Sequence, residues 1–344
     1  MKTIDLRSDT VTKPTAAMRR AMTEAEVGDD VFGEDPTVNR LEAMGAELLG
    51  MEAGLFVTSG TQGNLLALLT HCRRGDEYIA GSMSHIYRWE GGGAAVFGGI
   101  QPQPIDFKPD GTLDLSLVEA VIKPEDLHYA RSRLICLENT QAGKALPMDY
   151  LSEVRELADR RGLALHVDGA RLFNAAVKLN VEASAIARHV HTVNVCLSKG
   201  LGAPVGSLLC GSRDLIREAR RWRKLAGGGM RQAGILAAAG IFALTHNIDR
   251  LVEDHANALL LAEGLAEIDE LAVDMAQVQT NMVFVTMVQG EPAALEEHLR
   301  QRAILFRVGR TMRLVTHLDV TEDDIGSVVR ECKAFYAKHS HGRY

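Results

Sequence analysis

The sequence predicts an α/β protein: a large domain with a mostly parallel sheet flanked by helices, then a smaller C-terminal α/β domain. Three observations carry this. Between residues 54 and 212, short apolar runs alternate with helix-spaced segments, the pattern of a parallel sheet covered on both faces. After residue 250 the order changes to strand-like runs closed by a terminal helix. Two of the apolar runs end on a charge, Asp168 and Lys199, followed by small residues, and strand ends are where an open α/β sheet builds its site.

The elements follow in order. Residues 1–40 are rich in Asp, Thr, Pro and Gly and read as a loop-rich arm, with a short helix at 41–49. A strand at 54–59 leads into a helix at 62–71, and 78–80 is strand-like. Residues 133–138 read as a strand, and 150–161 place Leu151, Val154, Leu157 and Ala158 at helical spacing. Strands follow at 163–167, 192–197 and 206–210, then helices at 215–225, 232–246 and 248–268. Strands at 280–288 and 312–316 and a helix at 321–339 complete the chain. The boundary is placed between a first domain of 1–250, arm included, and a second of 251–344; no linker composition marks it.

With 344 residues, 46% apolar and 24% charged, the chain has ample material for a large core. A net charge of −7 argues against an extended nucleic-acid footprint. The one basic cluster, 217–224, reads as a solvated or interface helix face. Cysteines stand at 72, 136, 196, 210 and 332, without a Cys-x-x-Cys pair. Cys136, Cys196 and Cys210 lie in apolar runs and read as small buried hydrophobes in a reducing compartment, not bridges or zinc ligands, and no metal site is read. The N-terminus lacks a signal-peptide apolar region. The longest apolar stretch, 233–244, has 12 residues, where a membrane span needs about 20. A cytoplasmic enzyme without nucleic-acid or membrane partners is expected.

Asp168 and Lys199 define the expected chemistry. An aspartate can hold the pyridine nitrogen of pyridoxal 5'-phosphate protonated, and a lysine can form its Schiff base. Thr58-Ser59-Gly60-Thr61-Gln62-Gly63-Asn64 lies between a strand and a helix, where free N–H groups make a phosphate cradle. Ser59 or Thr61 would cap that helix. His85, following the 78–80 run, is placed to stack on a cofactor ring or move protons. Arg171 and Arg313 are cations at or within apolar strands and call for partners, an ion-pair residue or a substrate carboxylate. Arg231 follows three glycines whose backbone can approach another group closely. His128, in Pro124-Glu125-Asp126-Leu127-His128-Tyr129, reads as a surface-loop residue.

Together these pieces resemble the low-specificity L-threonine aldolases, pyridoxal phosphate enzymes of fold type I. The match runs from Ile4-Asp5-Leu6-Arg7-Ser8-Asp9-Thr10 to Arg313-Leu314-Val315-Thr316-His317. Between these lie Gly28-Asp29-Asp30-Val31-Phe32-Gly33-Glu34-Asp35-Pro36, His166-Val167-Asp168-Gly169-Ala170-Arg171 and Gly227-Gly228-Gly229-Met230-Arg231-Gln232. The resemblance implies that Lys199 carries the cofactor, Asp168 pairs with its ring nitrogen and His85 stacks on its ring. It implies that Gly60, Thr61 and Arg231 hold the phosphate, Arg231 arriving from a neighbouring subunit. Ser8, Arg171 and Arg313 would bind the substrate carboxylate, and His85 and His128 would lie near the β-hydroxyl. The expected reaction is retro-aldol cleavage of L-threonine or L-allo-threonine to glycine and acetaldehyde, in a homo-oligomer that shares sites across a dimer interface and often forms a tetramer. Two departures from the family pattern, Gln141 and Phe32, bear on diastereomer preference. The competing expectations are another fold type I reaction (serine hydroxymethyltransferase-like, aminotransferase or β-eliminating) and a non-catalytic cofactor-binding protein.

Overall fold

The structure is a computed structural model and describes residues 2–340. The strands are β1 (Ile4–Asp5), β2 (Ala53–Val57), β3 (Asp76–Gly81), β4 (Gln101–Ile105), β5 (Arg131–Glu138) and β6 (Ala164–Asp168). Then come β7 (Thr192–Cys196), β8 (Ser207–Gly211), β9 (Leu271–Val273), β10 (Met282–Met287), β11 (Ile304–Leu305) and β12 (Thr311–Val315). Seven of them form the main sheet, in the order β2-β8-β7-β6-β5-β3-β4. From β7 to β4 every neighbour is parallel, while β8 runs antiparallel to both β2 and β7. β3, β7 and β8 are buried along their whole length, as strands covered by helices on both faces must be.

The expected strands at 133–138, 192–197 and 312–316 correspond to β5, β7 and β12. β4 had no counterpart among the expected strands. Its sequence, Gln101-Pro102-Gln103-Pro104-Ile105, carries prolines that cannot donate to a ladder, and β4 accordingly lies at the sheet edge, paired to β3 alone. The loop-rich arm is also more ordered than expected. It contains helix Ala16–Thr23, started by the Thr15 hydroxyl accepting from Met18 N, and this helix packs on helix Gly234–His246.

Among the described residues two large buried cores stand beside two smaller apolar clusters. The larger fills the space between the main sheet and its helices. The second joins β9, β10, β12 and the C-terminal helix, and it includes Ile4 and Leu6. β1 pairs in parallel with β11, Ile4 opposite Ile304. The chain's first strand therefore packs with the C-terminal elements, although the sequence reading grouped it with the first 250 residues. Helix Leu251–Ala266 serves both cores, Leu251 in one and Ala258, Leu261 and Leu265 in the other. A helix shared in this way explains why no linker composition separates the parts.

The basic cluster is not all solvated. Arg223 is 3% exposed, donating to Asp30 Oδ2 at 2.7 Å and to the Phe56 carbonyl at 2.7 Å. Its buried charge is held by a buried partner, which is the condition for placing it there. The five cysteines are buried free thiols. No single helix among the described residues is long and apolar enough to cross a membrane.

Candidate active site

The C-terminal ends of the parallel strands converge on a cavity of about 540 Å³ lined by His85, Glu138, Asp168, Arg171, Lys199 and Arg313, among others. β5 ends on Glu138 and β6 on Asp168, directly opposite each other in the ladder. Lys199 follows β7, and its carbonyl accepts from the Thr12 hydroxyl and Gly202 N. Arg313 comes from β12 of the three-stranded sheet β12-β10-β9, so the cavity lies between that sheet and the main one.

Asp168 is 3% exposed. Its Oδ2 accepts from Asn64 Nδ2 at 2.8 Å and its Oδ1 from Ala170 N at 3.1 Å. Each oxygen keeps a further lone pair for a ligand N–H. His85 Nδ1 bonds Glu90 Oε1 at 2.8 Å, and that hydrogen bond raises the imidazole pKa against the opposing effect of burial. The His85 backbone N donates to Glu138 Oε2 at 2.7 Å. Burial, reinforced by the neighbouring Asp168 charge, pushes the Glu138 carboxyl up to about 7. A carboxyl so placed exchanges its proton near neutral pH.

The two arginines differ. Arg171 makes a bidentate pair with Asp9, Nε to Oδ2 at 2.7 Å and Nη2 to Oδ1 at 2.6 Å, and Asn281 Nδ2 adds a bond to Asp9 Oδ2 at 3.2 Å. Burial works against the Asp9 charge, but Arg171, Lys199 and Asn281 overcome it and hold the carboxyl at about 2. Arg313 has no carboxylate partner among the described residues; its Nη2 reaches only the Arg7 carbonyl, at 3.3 Å. Burial and the nearby Arg171 lower its pKa, so an incoming carboxylate would relieve an unfavourable charge. Arg313→Ala should weaken glycine and threonine binding by roughly 1.5–3 kcal/mol, about 10- to 150-fold, with cofactor retained. Titrations of the holoenzyme with glycine measure this; unchanged affinity in a destabilised protein would make Arg313 a structural cation.

The Asp9–Arg171 pair also carries a pH signature. A carboxyl held near 2 in the folded protein, against an ordinary value of 3.8, contributes stability above about pH 4. This is lost as pH falls toward 2, and amounts to about 2 kcal/mol. Asp9→Asn should remove that part of the acid limb in urea unfolding between pH 4 and 2. An identical acid limb in the variant would mean that Asp9 titrates normally.

The other expected site residues fall outside the cavity lining. Gly60 and Thr61 open helix Gly60–His71, where Ser59 caps Gln62 N at 3.1 Å and leaves the two N–H groups ahead of it for a ligand. Ser8 caps the turn Asp9–Val11, its Oγ accepting from Thr10 N, and so touches the site through Asp9. Arg231 is bonded to Asp29 at 2.9 Å and is half exposed. The glycines before it do make a close approach: a Cβ on Gly228 would lie 2.3 Å from Gln62 Nε2. His128 stands on an exposed loop, bonded to Asp126 at 2.7 Å. That loop precedes Arg131, at the opposite end of β5 from Glu138, about 23 Å away along the strand. The chain's own cavity therefore does not contain His128. Of the two departures, Gln141 lines the cavity, whereas Phe32 is 72% exposed and does not.

Asp9, Asn64, Glu90 and Glu138 were not expected from the sequence. Only Glu138 carried a readable signal, since it ends the apolar run of β5 as Asp168 ends β6.

Pyridoxal phosphate fits this donor set. Lys199 offers an amine, Asp168 a buried carboxylate with spare acceptor capacity, and the Gly60 helix unpaired N–H groups. The Thr140 hydroxyl, buried in the cavity wall without a partner among the described residues, is one more group able to bond a ligand.

The chain is similar to known proteins over almost its whole length. A model of the beta-eliminating lyase family matches residues 5–288. The low specificity L-threonine aldolase of Escherichia coli (strain K12) is 54% identical over 335 residues, covering 97% of this chain and all of that protein. The chain belongs to the low-specificity L-threonine aldolase family. Low-specificity L-threonine aldolase 1 of Arabidopsis thaliana is 47% identical over 94% of both chains. Among solved structures, threonine aldolase of Leishmania major superposes with a TM-score of 0.82 at 20% identity, covering 96% of this chain and 99% of that one. It shows the shared fold type I architecture, so the expected fold class is the observed one. The aldolase family thus extends over the arm, the main sheet and most of the second core.

Proposed function

We propose that the protein is a pyridoxal phosphate-dependent aldolase that cleaves L-threonine and L-allo-threonine to glycine and acetaldehyde. The observation that carries this is the convergence of Lys199, Asp168 and the unpaired Arg313 on one cavity. Bound pyridoxal phosphate supplies an electron sink for the pair released when the Cα–Cβ bond breaks. Lys199 gives the amine that anchors it, and Asp168 keeps a proton on its ring nitrogen. Arg313 grips the substrate carboxylate and so fixes which Cα bond faces the sink. With Nδ1 on Glu90, His85 has Nε2 free to take the β-hydroxyl proton. The aldehyde leaves, a proton returns to Cα and glycine is formed, with no net redox change.

Arg231, paired with Asp29 outside its own cavity, and His128, on its exposed loop, act in this reading on a neighbouring subunit's site within a dimer that further assembles as a tetramer. The setting is cytoplasmic, in threonine breakdown and glycine supply. The deciding experiment incubates the purified holoenzyme with each diastereomer and follows acetaldehyde by a coupled dehydrogenase. Acetaldehyde with stoichiometric glycine supports the aldolase; 2-oxobutanoate and ammonia instead would establish a β-eliminating enzyme.

A further inference from the structure

Behind Asp168 lies a polar chain whose members Asn64, Asn194, His166, Thr192 and His71 are not among the residues lining the cavity. Asn64 is 1% exposed, and all hydrogen-bonding positions of its amide are filled. Nδ2 donates to Glu90 Oε1 and to Asp168 Oδ2, both at 2.8 Å. Oδ1 accepts from Asn194 Nδ2 at 3.1 Å and from His166 Nε2 at 3.2 Å. The two carboxylates leave one choice for the amide's orientation. Asn194 Nδ2 also donates to the Gly60 carbonyl at 2.9 Å, and a Cβ on Gly63 would stand 2.2 Å from Asn194 Oδ1. Hence glycine at 63 lets this helix sit against β7.

The orientation is set from deeper still. His166 is fully buried, and burial together with His71 pulls its pKa down to about 3. A neutral imidazole that donates from Nε2 must accept at Nδ1, where the Thr192 hydroxyl lies at 2.9 Å. Thr192 Oγ1 can then accept from His71 Nε2, also at 2.9 Å. One arrangement of protons satisfies the chain from His71 to Asp168.

We propose that Asn64, oriented by His166, is the positioning residue that locks three cofactor-contacting groups into one unit. These are Asp168 at the ring nitrogen, His85 at the ring face through Glu90, and Gly60 at the phosphate end through Asn194. The proposal rests on reading the cavity as a pyridoxal phosphate site. It assigns a functional reason to burying a fully bonded amide between two carboxylates, where an apolar residue would leave Asp168 and Glu90 facing each other unbridged. Glu138 and Lys199 face Asp168 from β5 and the β7 end, and His85 faces Glu90, so these are the charges that would respond.

The test uses holoenzyme of the parent, Asn64→Asp, His166→Phe and His166→Gln. Two quantities are read without turnover: the rate of cofactor loss on dilution, and the pH midpoint of the visible absorbance band. Asn64→Asp preserves shape but turns a donor into an acid against two carboxylates. It should speed cofactor loss at least tenfold and move the band midpoint upward. His166→Phe should act in the same sense, and His166→Gln, which keeps a donor for Asn64 Oδ1, should recover most of the loss. If Asn64→Asp does not fold, the His166 pair decides by the same readouts. Parent-like cofactor loss and midpoint in folded Asn64→Asp or His166→Phe would overturn the proposal. A parent without any visible band would instead overturn the cofactor reading itself.

Discussion

Lys199→Ala will abolish threonine cleavage and leave the fold intact. The ammonium lines the cavity and makes no hydrogen bond or ion pair to any described residue, so its loss leaves no buried partner stranded. The structural contacts at this position are made by the backbone, whose carbonyl accepts from Thr12 and Gly202 and survives the substitution. What the substitution removes is the amine that, in the proposed function, would hold the cofactor covalently. Turnover should fall by at least about a thousandfold, within the range for removing a group that acts directly in the reaction. The acetaldehyde assay, run beside far-ultraviolet circular dichroism and the visible spectrum, separates the possibilities. Substantial cleavage by a folded Lys199→Ala protein would remove Lys199 from the mechanism.

Asp168→Asn will cost far more activity than stability. The amide has the shape of the carboxylate, and its oxygen can still accept from Asn64 Nδ2 or from Ala170 N. It cannot accept from both sides, so one donor is left unsatisfied, at about 1–3 kcal/mol. Against this, no charge needs to be buried. The catalytic loss is larger, because a neutral amide does not stabilise a protonated ring nitrogen, and the electron sink weakens. A fall in kcat of about 10²–10⁴ is expected, with a melting temperature within a few degrees of the parent's. Near-parental kcat would give Asp168 another task, and wholesale unfolding would make it a structural carboxylate first.

How far this site could be read in the sequence depended on whether its signals were local. Asp168 and Lys199 close apolar runs, and a charge in that place is costly without a purpose, so both stood out. Glu138 has the same signature and was passed over within a segment noted for its departure at Gln141. Asn64 carried no local signal. It lies in a helix whose residues 63–69 are all buried, and its partners His166 and Asn194 are over a hundred residues away. Asp9 was hidden for the same reason, since only the fold brings it to Arg171 and Asn281. The alternation of elements was legible because strands buried on both faces are nearly continuous apolar runs. β4 was not, because an edge strand needs half the ladder and tolerates proline. His128 and Arg231 came from the family resemblance, and neither lines its own chain's cavity.

The arm's contacts have a practical bearing on how the protein is handled. Ile4 and Leu6 belong to the second core, Asp9 ties Arg171, just beyond the end of β6, to Asn281 beside β10, and Thr12 rests on the Lys199 carbonyl. These residues act as a clasp across both halves of the molecule. Trimming them to aid crystallisation, or fusing a rigid tag directly before them, would loosen the grip on the very loop that carries the lysine. A tag is better joined through a long flexible spacer, and libraries aimed at substrate range should treat this segment as part of the pocket's frame.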